Sequence, residues 1–217
     1  MSAEQNDGVR ELGARANDTV PLTEAQLQAT EDAIAIHFKK ILEQLRIIPE
    51  VDHNTNRTAE RWSKMLVREL CAGRFSECPV TTDFPNVAKI DQVYAVGPIS
   101  IRSLCSHHFM PIRGQVWVGV LPGDRVLGLS KFSRIAQWVF ARPQIQEEAT
   151  EQLAATLQAL INPSGLAVLV RAEHLCMTHR GVEEHETLMT TSVMTGAFRE
   201  SESARSELLA LVAGMGF

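Results

Sequence analysis

The chain of 217 residues is long enough for one domain with extensions, and for a core that needs no disulfide staples. Its 45% hydrophobic and 22% charged residues suit a soluble globular protein, and a formal charge of −5 argues against general binding to nucleic acid or to a membrane. The N-terminus lacks the apolar run of a signal peptide, and no stretch of about 20 apolar residues could span a bilayer. The four cysteines read as reduced thiols in a cytoplasm rather than a disulfide framework.

Residues 1–20 are polar and aperiodic, which predicts a mobile, disordered tail. A helix begins after Thr23, the N-cap of a capping box with Gln26. Its apolar residues Ile34, Phe38, Ile41, Leu45 and Ile48 alternate steps of four and three; such a seam suits either the chain's own core or a helix of another subunit. A second helix follows Thr58, carries Trp62, Met65, Leu66 and Leu70, and stops at Gly73. Residues 75–86 read as an irregular connection, and 89–104 as a strand broken near Gly97-Pro98. In GQVWVGVLPGDRVLGL, Val116, Val118 and Val120 alternate onto one face, and Pro122-Gly123-Asp124 predicts a hairpin turn.

Helix returns in SKFSRIAQWVFA, breaks at Arg142-Pro143, and resumes in QEEATEQLAATLQALI before Asn-Pro-Ser-Gly. Residues 166–172 form a buried strand, TLMTTSVMTGAF another, and SESARSELLALVAG a closing helix. This order predicts an α+β protein with a largely antiparallel sheet. It divides into the tail 1–20, an N-terminal helical region 21–74 and a sheet-bearing unit 75–217.

Two windows concentrate the chemistry, each after a predicted strand: Cys105-Ser106-His107-His108 and His174-Leu175-Cys176. Thiolate and imidazole are the ligands zinc prefers; Cys105, His108 and Cys176 would give three and leave a fourth position for water, the catalytic pattern. A four-ligand structural site closed by His107 or His174 fits the same spacing, as do a buried apolar cysteine and a solvated loop histidine. Ser130, Lys131 and Arg134 open the helix after VLGL, where free N–H groups and two cations one turn apart can hold phosphate. Arg180, four residues after Cys176, can add positive charge. Gln146 and Glu147 can read a purine edge, although glutamate in a first helical turn also simply suits the helix dipole.

Together CSHH, VLGLSKFSRI, ARPQIQEE, EHLCMTHRGV and TTSVMTGAF, in that order, resemble the GTP cyclohydrolase I family from about Thr58 to Arg199. The resemblance implies zinc held by Cys105, His108 and Cys176, and guanine anchored by Glu147 with Gln146 beside it. It also implies a triphosphate site of Lys131, Arg134, Arg180 and Arg61, acid/base roles for His107 and His174, and Ser130 near the ribose. The implied reaction converts GTP to formate and dihydroneopterin triphosphate, the first step of tetrahydrofolate and pterin biosynthesis. The implied fold is the tunnelling fold (T-fold), with a helix pair on one face of the sheet, assembled as a homodecameric ring with sites between subunits. Three positions depart from the family pattern: Ser106 replaces a glutamate, Ala59 a proline, and His179 a smaller or uncharged residue. A specialised paralogue, acting for a deazapurine pathway or on a related purine nucleotide, or a non-catalytic nucleotide-binding homologue, is the alternative these departures keep open.

Overall fold

A computed structural model describes residues 13–217. The part of the expected tail at residues 1–12 lies outside the described residues. Helix α1 (Glu24–Gln44) starts at the predicted capping box: Thr23 Oγ1 accepts from the Gln26 amide at 3.3 Å, and Gln26 Oε1 from the Thr23 amide at 2.9 Å. It packs on α2 (Thr58–Met65), where Phe38 stacks on Trp62 with ring centroids 4.3 Å apart. The seam is only partly covered, since Ile41, Leu45 and Ile48 remain 52%, 64% and 56% exposed. The second helix is less regular than its periodicity suggests. It passes from α2 through a π-helical turn at Leu66–Leu70 into α3 (Ala72–Phe75). Arg68 in that turn grips Glu24 through two 2.7 Å hydrogen bonds and also pairs with Glu31, tying α1 to it. Gly73 approaches the carbonyl of Trp138 so closely that a Cβ would overlap it, which is why glycine stands there.

A five-stranded sheet in the order β5-β2-β3-β6-β7 forms the centre: β2 (Tyr94–Cys105), β3 (Pro111–Leu121), β5 (Pro143–Gln144), β6 (Gly165–His174) and β7 (Met189–Gly196). All pairings are antiparallel except β5 with β2, so the sheet is mixed. The expected break in β2 is a register shift between Val96 and Ile99, spanning a cis Gly97-Pro98 bond. The turn predicted at Pro122-Gly123-Asp124 does not make a hairpin. The chain leaves the sheet there, and β4 (Arg125–Leu127) pairs instead with β1 (Asp83–Pro85), inside the stretch expected to be irregular. The strand after the second window also ends early, because Ala197–Glu200 curls into the short helix α7.

Both sheet faces are covered over much of their length. Val116, Val118, Val120, Val168 and Val170 pack beneath α4 (Leu129–Phe140) and α5 (Gln146–Ile161), which are the expected helix pair. On the other face Trp117 and Leu169 pack against Leu208 and Val212 of α8 (Glu202–Gly214). The alternation at Val116–Val120 thus selects a face without implying solvent on the other: Trp117 is fully buried. No helix among the described residues is long and apolar enough to cross a membrane.

Candidate active site

The two chemistry-bearing windows meet because of strand register. β2 ends at Cys105 and β3 begins at Pro111, so CSHHFM is the hairpin turn of the sheet. The Cys105 amide donates to Met110 O and the Phe109 amide to Cys105 O, both at 2.8 Å. Phe109 takes a left-handed conformation at φ 52°, an uncommon one for a non-glycine residue, to close the turn. On the other side of β3, Ile112 pairs with His174 at the end of β6, and the short helix α6 (Leu175–Thr178) begins at once with Cys176 in its first turn. Cys105, Ile112 and Ala172 form a small apolar floor, with Cys176 packed on it. Gly114 on β3 lies so close to Ala172 and Arg171 O that a side chain would force β3 and β6 apart.

On this floor one ligand atom each from Cys105, His108 and Cys176 lies within 4.8 Å of the others, with Cys105 buried, Cys176 half-buried and His108 exposed. Two thiols and an imidazole suit zinc, and among the described residues no fourth such side chain joins the group, as in sites that keep a coordination position for water. Arg180 Nη1 lies 3.1 Å from His108 Nε2. The Arg180 guanidinium thus stands directly beside one of the three candidate ligands. Burial and the adjoining Cys105 thiol push the Cys176 thiol up, while Arg180 pulls it down. His107 is exposed, with Nδ1 3.7 Å from Cys105 Sγ.

A second layer fixes this arrangement, and part of it was not legible beforehand. Glu173 accepts from Thr178 Oγ1 at 2.9 Å and from Arg113 Nε at 2.6 Å, clasping α6 to the end of β6; these contacts hold its carboxyl below the usual range. Its only signal in the sequence is a carboxylate beside His174. Gln144 of β5 donates to Ser103 Oγ and Val139 O, and its carbonyl accepts from the Ser106 amide at 3.3 Å, bracing the start of the turn. Ser106 brings no carboxylate to that brace.

His174 and Gln146 form one unit. Gln146 is buried, and its Nε2 donates to Met189 O at 3.1 Å and to Thr191 Oγ1 at 3.0 Å, while Oε1 lies 2.8 Å from His174 Nε2. An amide oxygen only accepts, so Nε2 of His174 carries a proton and Nδ1 the lone pair. Burial lowers the His174 pKa, against the opposing charge of Glu147. Glu147 itself is exposed in the first turn of α5.

The predicted basic cluster is not joined to the metal group within this chain. Ser130, Lys131 and Arg134 lie in the first turns of α4, where Lys131 Nζ reaches only Val80 O at 3.4 Å. Arg61 lies on α2, lining a groove with Gln28, Arg57 and Lys64. Among the described residues no hydrogen bond or ion pair links these four to Cys105, His108 or Cys176. Arg180 alone of the predicted cations reaches the cluster.

Fold and site together define an α+β protein with a candidate metal centre at one end of its sheet. The family model described as GTP cyclohydrolase I matches residues 34–213. Among similar proteins, GTP cyclohydrolase 1 of Erwinia tasmaniensis is 36% identical over 190 residues, covering 87% of this chain and 86% of that one. GTP cyclohydrolase 1 of Salmonella arizonae is 35% identical over 193 residues, covering 88% and 86%. Among solved structures, the archaeosine synthase QueF-Like in the apo form aligns with TM-score 0.37 and 16% identity over 55% of this chain and 97% of that chain. The chain belongs to the GTP cyclohydrolase I family of enzymes.

Proposed function

We propose that the protein hydrolyses GTP at the guanine imidazole ring, releasing formate and forming 7,8-dihydroneopterin triphosphate for tetrahydrofolate or other pterins. The observation that carries this reading is the convergence of Cys105, His108 and Cys176 in a chain of this family. Zinc, when held there, supplies a Lewis acid and water activated at neutral pH. The Glu147 carboxylate accepts from the guanine ring N–H and exocyclic amine and sets C8 towards the sheet end. His174, kept neutral by burial and oriented by Gln146, takes up a proton at Nδ1 and returns it to the purine as the ring opens. Two additions of water release formate, and the later ring closure returns one, so one water is consumed overall. His107 and Ser130 relay protons as the ribose opens and rearranges. Lys131, Arg134, Arg180 and Arg61 hold the triphosphate, remote from the reacting bond, and orient it.

The same reading makes the sheet part of a T-fold in a decameric, cytoplasmic ring, with each site built between subunits. Two features support a shared site: the apolar seam left bare at Ile41, Leu45 and Ile48, and the separation of Ser130, Lys131, Arg134 and Arg61 from the metal group. Incubation with GTP tests the reaction through formate and the fluorescence of the oxidised pterin. Equal amounts of both are expected. Formate without pterin would mean a different product, and neither product at full zinc content would overturn the assignment.

A further inference from the structure

The proposed guanine anchor is exposed at the rim of an open cavity. Glu147, Glu148 and Thr191 line a space of about 440 Å³ together with Arg15 and Asn17, which precede α1. The segment bearing those two residues is latched in place. Arg74 Nη1 donates to the carbonyls of Arg15, Ala16 and Asp18 at 2.5, 3.1 and 3.1 Å, and Nη2 to that of Gly13 at 2.6 Å. The backbone continues the attachment, with the Val20 amide donating to Arg74 O at 2.6 Å and the Leu22 amide to Phe75 O at 3.0 Å. Arg142, fully buried against Trp138, donates to Asn17 O at 3.2 Å. Five carbonyl contacts from two arginines hold residues 13–18 as a strap across the start of α5.

This strap changes what the cavity offers a purine. Asn17 Nδ2 donates to Glu148 Oε2 at 2.9 Å, which engages that carboxylate and leaves Glu147 beside it for a ligand. Gln146, the amide that the sequence places next to Glu147, is turned inward onto Met189, Thr191 and His174. Guanine presents two donors, the N1–H and the 2-amino group, and one acceptor, O6, along the edge that a single carboxylate reads only in part. The donor-rich side chain lining the same cavity is Arg15. A carboxylate on N1–H and the amine, with a guanidinium on O6, satisfies the whole edge. Adenine, with an amine at position 6 and no N1–H, would set donor against donor at one end and lone pair against carboxylate at the other.

We infer that Arg15 is a specificity-determining residue that donates to guanine O6 from the cavity it lines with Glu147, its backbone carbonyl held by Arg74. This rests on the reading of a guanine nucleotide as substrate. The test compares GTP with 6-thio-GTP, which keeps N1–H and the amine but offers sulfur, a weak acceptor, at position 6. Arg15→Ala should raise KM for GTP about 10-fold, the scale of one good base contact, while KM for 6-thio-GTP moves little. The variant's kcat and melting temperature should stay close to wild type. Arg74→Ala, which frees the strap, should reproduce the KM rise and speed proteolysis within residues 13–20. An unchanged KM for GTP in Arg15→Ala would overturn the inference. So would equal KM increases for both nucleotides, which would place the cation's effect away from O6. Failure of the wild-type enzyme to turn over GTP would instead strike the functional reading itself, so the two failures are distinguishable.

Discussion

The metal group and the basic residues of the first turns of α4 differ in how they are made. Cys105, His108 and Cys176 sit at adjoining strand ends, and the register of β2, β3 and β6 brings them together within one chain. Ser130, Lys131 and Arg134 have no such frame; they stand at a helix start, with no hydrogen bond or ion pair to the metal group among the described residues. A metal site must place its ligands to within a few tenths of an ångström, and a sheet end provides that rigidity. A flexible triphosphate tolerates contacts supplied from separate elements, including another copy of the chain.

The largest expected effect breaks the first region. Cys105→Ser or Cys176→Ser should lose zinc and lower turnover by at least about a thousandfold, since catalytic zinc supplies both the Lewis acid and the activated water. Metal analysis, formate release and an unchanged far-ultraviolet dichroism spectrum would show it; a variant retaining both zinc and activity would refute the ligand assignment. Next in size, Glu173→Gln should weaken zinc affinity by about tenfold or more, as loss of outer-shell support does elsewhere, with the residual activity restored by added zinc. Competition with a chelator measures this, and an unchanged affinity would show that the Thr178–Glu173–Arg113 clasp does not position α6.

The second region should respond differently. Arg134→Ala should raise KM for GTP by about tenfold, the loss of one charge-assisted phosphate contact, with zinc content intact. Copies of Arg134→Ala mixed with copies of Cys176→Ser, after dissociation and reassembly, should be more active than either alone at GTP well below KM if one site draws on two chains. Activity that never exceeds the parents' would place the whole site in one chain. The smallest effect concerns the N-terminal helices. Arg68 holds the Glu24 carboxyl below its usual range, and Arg125 does the same to Asp83. A depressed folded-state pKa stabilises above the unfolded value and is lost as pH falls through the folded one. Glu24→Gln should therefore lose slightly less melting temperature on acidification than wild type, and an identical acid profile would contradict that pairing's role.

Much of this contrast was legible in the sequence. Ligand type and spacing mark Cys105, His108 and Cys176, and apolar periodicity marks α1, α4, α5, β3 and β6. What escaped depends on contacts that local pattern does not encode. Pro122-Gly123-Asp124 has turn chemistry, but the partner of β4 is β1, about forty residues earlier in the chain. The real hairpin turn is CSHHFM, hidden because its residues read as ligands and its left-handed position is a phenylalanine rather than a glycine. The polar, aperiodic residues 13–20 carry no signal of their own; what orders them is Arg74, which lies far along the chain.

A catalytic zinc centre acting on GTP at this sheet end, as proposed, must lose and regain turnover with its metal. The most direct measurement is titration of zinc into chelator-treated enzyme, with formate release followed at each addition. A folded but inactive apo-protein should regain turnover in proportion to zinc bound, saturating at one zinc per chain. Full turnover without zinc, or a protein that unfolds on chelation and recovers no activity with zinc restored, would contradict it.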